Sequence, residues 1–176
     1  MGMRRHHLIV HIMAGVAAGV AGSFAMERYQ RALGRVSPDL GGAPGAGGQQ
    51  YRQPQSEPAT YVAADKAARA VTGQHLPPQD KPAGGAIVHY AFGSTVGALY
   101  GWLSARRPET AAGLGMPFAT AVWLTADEIA MPIAGLAKRP GAYPLTDHLS
   151  ALTAHLVFGA TMEATRRLLL GRESTR

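Results

Sequence analysis

The sequence predicts an all-α fold: a polytopic membrane protein of four transmembrane helices in a bundle, with a short amphipathic helix in the long loop between spans 1 and 2. Three observations predict it. Hydrophobic residues make up 47% of the chain and charged residues 16%, below the roughly 25% typical of soluble domains. Residues 8–26 and 84–104 carry no formal charge, and each can cross a bilayer core of about 30 Å. Arginine and lysine cluster beside the apolar segments, as in membrane proteins.

The first span is predicted over about 8–27 of a single membrane domain, 1–176. A cleaved signal peptide is the alternative, since Arg4 and Arg5 precede the run and Ser-Phe-Ala at 23–25 resembles a cleavage site. The length of the run, the presence of His11 and the helix-like continuation over 26–35 favour a retained span.

The connection between the first two spans divides into two parts. Residues 36–58 are rich in Gly, Pro and Gln, which is typical of a flexible linker. Residues 60–72 place alanines and Val71 on one face, with Asp65 and Arg69 on the other. This pattern predicts a short amphipathic helix at the membrane surface or against the bundle.

The remaining spans are predicted over about 84–104, 112–134 and 148–168. The third carries Asp127 and Glu128, so it can cross a membrane only if these carboxylates face the bundle. A soluble bundle of buried helices is the alternative, but neither of the first two spans has a polar face.

Charge and composition limit the partners and the chemistry. The predicted loops put most arginines on the side of the two termini, which predicts cytoplasmic termini. The net charge of +6 therefore reflects membrane topology, and no nucleic-acid partner is expected. The lipid bilayer is the expected partner, with a second copy or other membrane proteins beside it. The absence of Cys excludes disulfides, thiolate catalysis and Cys-based metal sites.

Small residues spaced four apart predict close helix packing, because helices in lipid associate through backbone approach. The second span repeats this spacing twice, which is the more specific signal. The predicted packing residues are Gly15, Gly19, Gly93, Gly97, Gly101 and Gly159. A seven-residue string also recurs, as His-Tyr-Ala-Phe-Gly-Ser-Thr at 89–95 and His-Leu-Val-Phe-Gly-Ala-Thr at 155–161. The repeat suggests two related helical hairpins, spans 1 and 2 and spans 3 and 4.

Antiparallel spans place most of the intramembrane ionisable residues in the outer third of the bundle. The predicted buried polar cluster consists of Glu27, His89, Asp127, Glu128, His148 and His155. Pro132 lacks an N–H, so in an α-helix it leaves the carbonyl of Glu128 without a partner. An ionisable residue inside a membrane costs about 2.5–3.5 kcal/mol on insertion scales, which makes this cluster a functional hypothesis.

Four interpretations of the cluster remain open. His89, Glu128 and His155 are candidate ligands of a metal such as zinc or iron. The same groups could relay protons, since histidine titrates near neutral pH. His89 and His155 could be axial haem ligands. The plainest interpretation is interhelical hydrogen bonding. No catalytic motif is present, so no enzyme and no catalytic residue is predicted, and no cofactor is assigned beyond the open metal and haem alternatives.

Three stretches resemble the YagU-like family of bacterial inner-membrane proteins: residues 89–101, 123–136 and 143–167. The resemblance implies a small multi-pass protein of the bacterial inner membrane with a link to acid tolerance, a stress response. It implies no activity and transfers no site residue. The predicted function is therefore proton or ion handling, or acid-stress tolerance, through the His/Glu cluster. The alternatives are an accessory subunit that packs through its glycine faces and a metal- or haem-binding membrane protein.

Overall fold

A computed structural model describes residues 2–36 and 57–171, and every regular element in those two ranges is helical. The predicted linker over 36–58 lies almost entirely outside the described residues. The main elements are α1 (Gly2–Val36), α2 (Ala59–Thr72), α3 (Lys81–Arg106), α4 (Met116–Val122), a π-helix (Trp123–Ala130), α5 (Met131–Ile133) and α6 (Leu145–Gly171). The segments from α4 to α5 follow one another directly and are called the broken helix below. The all-α prediction is confirmed.

Helix α1 lies at the centre of the fold, because both α3 and α6 pack against it. Its contact with α3 is made of glycines. A Cβ on Gly15 would overlap the carbonyl oxygen of Gly97 and lie 3.0 Å from the Cα of Gly101. A Cβ on Gly19 would overlap the carbonyl oxygen of Gly93. The two helices therefore run antiparallel and approach so closely that no larger side chain fits between their backbones.

The contact between α6 and the broken helix follows the same rule. A Cβ on Gly159 would lie 2.6 Å from the Cβ of Ala119 and 2.8 Å from the carbonyl oxygen of Gly115. Glycine at this position lets the start of α4 rest directly on α6. The two glycines of the repeated string thus both lie in helix–helix contacts, Gly93 against α1 and Gly159 against α4.

Helix α1 continues past the predicted end of the first span near residue 27 as far as Val36, through the stretch 26–35 that the sequence marks as helix-like. Two contacts explain the extension. Glu27 forms an ion pair with Arg31 one turn later. The hydroxyl of Tyr29 donates to the Thr153 hydroxyl oxygen at 3.1 Å, which ties the extra turns of α1 to α6. Glu27 therefore lies inside a helix rather than at its end.

The third span also differs from its predicted bounds of 112–134. Residues Gly113, Leu114 and Gly115 have φ values of 59°, 56° and 72°, so the helix can begin only at Met116. At the other end, Gly135 adopts a φ of 64° and terminates α5. The left-handed conformation at Leu114 is unusual for a residue with a Cβ.

A π-helix in the middle of the broken helix was not predicted. The amide of Met131 donates to the carbonyl of Ala126, five residues back instead of four. In a π-helix each carbonyl accepts a hydrogen bond from the amide five residues later. The carbonyl of Glu128 would therefore accept from the amide of residue 133 and does not need the amide that Pro132 lacks. In this register the carbonyl that Pro132 leaves without an amide is that of Asp127 rather than that of Glu128.

Helix α2 occupies the position predicted for the amphipathic helix, but its buried face differs. Its first residues, Ala59 and Thr60, are buried together with Ala64, while Val71 is 86% exposed. A Cβ on Gly85 of α3 would lie 3.2 Å from the hydroxyl oxygen of Thr60. The start of α2 therefore makes the contact with α3, which is why the predicted face ending at Val71 is only partly buried.

The distribution of large and small apolar side chains is unusual. The interior is rich in alanine and glycine, whereas large apolar side chains are exposed on every long element. The exposed ones include Ile9, Met13, Phe24, Ile87, Leu99, Leu124, Ile133, Leu149 and Leu168. Among the described residues, one helix, spanning His6–Val36, is long and apolar enough to cross a membrane, with a mean hydropathy of 1.9 over its most apolar window.

Candidate functional site

Two acidic residues of the π-helix face two histidines of α6. The Oδ2 atom of Asp127 lies 3.5 Å from Nε2 of His155. The Oε1 atom of Glu128 lies 2.8 Å from Nδ1 of His148. All four side chains are at least four-fifths buried. These contacts, called the two acid–histidine pairs below, connect four of the six residues of the predicted polar cluster.

The local sequence explains why two neighbouring acids reach the same helix. His148 and His155 are seven residues apart, which places them on one face of α6 about two turns from each other. Asp127 and Glu128 are adjacent, and on an α-helix they would diverge by about 100°. The π-helix is wider, so successive side chains diverge less. Both carboxylates can therefore face α6.

Backbone carbonyls determine which ring nitrogen of each histidine carries a hydrogen. Nδ1 of His155 donates to the carbonyl of Ala151 at 2.9 Å, which leaves Nε2 toward Asp127. Nε2 of His148 donates to the carbonyl of Pro140 at 3.2 Å, which leaves Nδ1 toward Glu128. A neutral imidazole would thus turn a lone pair toward a carboxylate in both pairs. A hydrogen on that nitrogen would instead point toward the carboxylate.

His89 lines a cavity together with Asp127 and His155, which are called the first acid–histidine pair below. The ring of His89 donates from Nε2 to the carbonyl of Ser23 at 3.3 Å. The cavity has a volume of about 80 Å³, enough for a few small molecules the size of water. Its lining is mostly apolar, and its polar side chains are Ser23, Thr60, His89, Asp127 and His155.

Two hydroxyl groups in the cavity wall lack a hydrogen-bond partner. Ser23 is 1% exposed and Thr60 is 6% exposed. In the part of the chain that the structure describes, neither hydroxyl oxygen has a protein partner within hydrogen-bond distance. A buried hydroxyl without a partner costs free energy, so these two groups indicate a site for something polar. Neither residue stands out in the sequence, because no histidine or carboxylate of the predicted cluster that lines the cavity is close to either one along the chain.

Glu27, the sixth residue of the predicted cluster, lies apart from the acid–histidine pairs. One carboxylate oxygen accepts a hydrogen bond from the hydroxyl of Tyr90 at 2.7 Å, and the other pairs with Arg31. Glu27 is absent from the cavity wall. The predicted cluster is therefore divided between an ion pair on α1 and the histidine site.

A second buried polar cluster was missed by the sequence analysis. Glu163 of α6 is fully buried and accepts four hydrogen bonds. The donors are the Tyr100 hydroxyl at 2.8 Å, Arg166 Nε and Nη2 at 2.8 and 3.0 Å, and Arg167 Nε at 2.5 Å. The spacing of three and four residues between an acid and two arginines could have indicated it. These four residues are called the Glu163 cluster below.

A surface counterpart of the acid–histidine pairs lies at the end of α2. Asp65 accepts a hydrogen bond from Nδ1 of His75 at 2.8 Å and from the amide of Leu76 at 2.7 Å. The bond from His75, followed by that from Leu76, holds the pKa of Asp65 below its usual value of 3.8. This pair has the same chemistry as the buried ones but stands in solvent.

The residues proposed for a metal are not gathered at one point. Glu128 pairs with His148, whereas His89 and His155 line the cavity. Among the residues that the structure describes, no group of three or more His, Asp or Glu side chains is placed to hold a metal ion. His89 and His155, the candidate haem ligands, both lie in the wall of this cavity.

Comparison with known proteins places the chain in one family. Residues 53–164, more than half of the chain, match the sequence pattern of "Protein of unknown function (DUF1440)". The match covers α2 through most of α6 and includes both acid–histidine pairs. Neither a curated protein nor a solved structure matches the chain. The narrower resemblance to YagU-like proteins rests on three sequence stretches and stays a prediction.

Proposed function

The chain belongs to the DUF1440 family, of unknown function, and we propose that it is a multi-pass bacterial inner-membrane protein whose two acid–histidine pairs bind and release protons. The observation that carries the proposal is the geometry of these pairs. In each one a carboxylate faces the imidazole nitrogen that the backbone leaves without a hydrogen.

The surface of the fold supports membrane insertion. On α1, Ile9, Met13, Val20 and Phe24 are 42–60% exposed. The opposite side of the same helix packs glycine against glycine. Large apolar side chains outside and small or polar ones inside suit a lipid environment, where close packing rather than apolar burial holds helices together. Four spans, with both termini in the cytoplasm, fit this arrangement.

Single cysteines test the proposed topology, because the native chain has no Cys. Gly141 and Gly171 are suitable positions, since a side chain at either meets no atom within 4 Å. We expect a membrane-impermeant maleimide to label Gly141→Cys in intact spheroplasts, and Gly171→Cys only after lysis. Equal labelling of both variants before lysis would contradict the four-span topology, and the reversed pattern would invert it.

Proton binding by the pairs follows from simple electrostatics. A carboxylate and a lone pair repel each other when both are buried, and a proton between them removes the repulsion. Imidazole is a common group in proton relays, because each of its two nitrogens can carry or release a hydrogen. The cavity beside Asp127 and His155 gives it a route to neighbouring polar groups. Proton handling of this kind is consistent with a role in acid tolerance.

Proton flux into proteoliposomes loaded with a pH-sensitive dye tests the function. We expect an imposed potential to drive proton entry through the wild-type protein. Asp127→Asn and His155→Gln should reduce entry to the level of protein-free vesicles. The matched control is Asp65→Asn, which removes the carboxylate of the exposed pair with His75. Wild-type flux in all three variants, or none in the wild type, would refute the proposal.

An accessory subunit remains the second candidate. Its supporting observation is the apolar surface of α1 and α3, which carries Ile9, Met13, Ile87 and Leu99. The glycine faces first suggested for this role contact other helices of the same chain. A partner would therefore meet large apolar side chains instead. Chemical cross-linking from a cysteine at Met13 in membranes would identify such a partner.

A further inference from the structure

We propose that the cavity beside the first acid–histidine pair binds a small monovalent metal cation, such as sodium, in competition with the proton that Asp127 and His155 share. This inference rests on the proposed function, because it assigns a second occupant to a site that holds protons. It goes further in naming an ion whose binding and release would be coupled to proton movement.

The cavity offers oxygen atoms of the kind that bind small hard cations. The hydroxyls of Ser23 and Thr60 lie in its wall, are at least nine-tenths buried, and have no protein partner in the described chain. The carboxylate of Asp127 belongs to the same wall. Hydroxyl and carboxylate oxygens suit hard cations, whereas a transition metal prefers several imidazole ligands.

The charge of the site favours a cation over an anion. Nδ1 of His155 donates to the carbonyl of Ala151, and Nε2 of His89 donates to the carbonyl of Ser23. Asp127 is the one acidic side chain among the residues that line the cavity, and that lining contains no Lys or Arg. A carboxylate repels an anion, while either a proton or a monovalent cation neutralises it.

Other ionisable groups on the elements around the cavity have partners of their own. They include Glu27, Arg31, Asp65, Lys66, His89, Tyr90, Glu128, Asp147 and His148. Glu27 pairs with Arg31, and Glu128 pairs with His148. Lys66 of α2 donates to the carbonyls of Ala134 and Gly135, away from the cavity wall. Occupancy by a cation therefore depends chiefly on the carboxylate of Asp127, which lies beside His155 in the cavity wall.

The competition can be measured at equilibrium, without transport. Purified protein in detergent is titrated with sodium chloride, lithium chloride or potassium chloride, and its thermal midpoint is recorded. Choline chloride at equal ionic strength controls for salt and for chloride. We expect sodium or lithium to raise the midpoint, since a ligand that binds the folded state stabilises it. The increase should grow as the pH is raised, because protons then compete less.

Isosteric variants connect the effect to the cavity. Thr60→Val removes a hydroxyl at nearly constant volume and should weaken the apparent sodium affinity about tenfold, as should Ser23→Ala. Thr60→Ser keeps the hydroxyl and should restore binding. Thr95→Val is the matched control, because the Thr95 hydroxyl is exposed and bonds its own helix at the Ala91 carbonyl.

The outcomes separate this inference from the function it builds on. A midpoint that responds equally to choline and sodium would overturn the cation site, even if proton flux is normal. A sodium response that persists in Ser23→Ala and Thr60→Val would place the ion elsewhere and overturn it as well. Sodium binding that depends on both hydroxyls, in a protein without proton flux, would support the site and refute the proposed function instead.

Discussion

The two buried polar clusters of this protein lie at opposite ends of α6 and differ in the partners of their carboxylates. The Glu163 cluster pairs a carboxylate with two arginines and a tyrosine, groups that keep their protons throughout the physiological range. The acid–histidine pairs oppose carboxylates to imidazoles, which exchange protons near neutral pH. Burial of a charge therefore does not itself indicate function, and the proton affinity of the partner is the informative property.

The surroundings of the clusters reinforce the difference. Glu163 and Tyr100 are both fully buried, and the carboxylate has a donor for each of its lone pairs. The first acid–histidine pair borders a cavity whose wall contains two hydroxyls without partners. In the first cluster the carboxylate already accepts four hydrogen bonds, whereas the second borders the cavity for which we propose a small ion. We therefore expect substitutions in the first to affect stability and those in the second to affect activity.

The largest effect is expected from Glu163→Ala. The substitution leaves Arg166, which is 8% exposed, without its carboxylate. Removing one partner of a buried ion pair costs about 3–5 kcal/mol, so we expect a loss of that size in the free energy of unfolding. Denaturation of the purified protein in detergent measures it. A loss below about 1 kcal/mol, the value of an exposed pair, would show that the comparison is wrong.

Tyr100→Phe should have the next largest effect, since it removes one of four donors to Glu163 while keeping the ring. A hydrogen bond to a charged group contributes about 1.5–3 kcal/mol. Tyr90→Phe is the matched control, because its hydroxyl donates to the less buried Glu27 at 2.7 Å. Thermal unfolding in detergent should rank the loss at Tyr100 above that at Tyr90. Neither variant should change proton flux, and a flux defect in Tyr100→Phe would assign activity to the Glu163 cluster.

Gly97→Ala tests the close contact between α1 and α3. Gly97 lies on α3 between His89 and Tyr100, and a Cβ there would overlap the carbonyl oxygen of Gly15 and lie 2.8 Å from the Cα of Gly19. Overpacking of this kind costs about 1–3 kcal/mol. Gly141→Ala, where the new methyl group meets nothing, is the control. Unchanged thermal stability of Gly97→Ala would mean that α1 and α3 are not packed this closely.

The smallest effect belongs to the exposed pair at Asp65. Its pKa is lowered in the folded protein, so its contribution to stability is present above pH 3.8 and disappears as the pH falls through the lower folded-state value. Asp65→Asn should therefore lower the thermal midpoint slightly near neutral pH. The wild type and the variant should converge in acid. A difference that grew with acidification would reverse the sign and refute this assignment.

The helical composition and the glycine spacings could be deduced from the sequence, because periodic small residues and uncharged runs are local signals. The histidines could also be grouped by depth, since each residue of a helix advances by a fixed rise. This reasoning brought Asp127, Glu128, His148 and His155 to one level. It did not predict which acid meets which histidine, because the pairing depends on the π-helix, a change of register that the local sequence does not specify.

Two other features depended on contacts between distant segments. Glu163 was not recognised because its burial requires Tyr100, a residue 63 positions earlier in the chain. The hydroxyl of Thr60 reaches the cavity only because the start of α2 rests on glycines of α3. Serine and threonine are common in helices and loops alike, so no sequence pattern distinguishes these two from the rest.

The central position of α1 has a consequence for the synthesis of the protein. It precedes the other described helices along the chain, and among them it alone is long and apolar enough to cross a membrane. The glycine face that later receives α3 is already formed on it. In the proposed membrane location, the less apolar helices, which carry the histidines and carboxylates, would be inserted against α1. We expect α1 to act as an internal template for assembly, on which the polar half of the bundle depends.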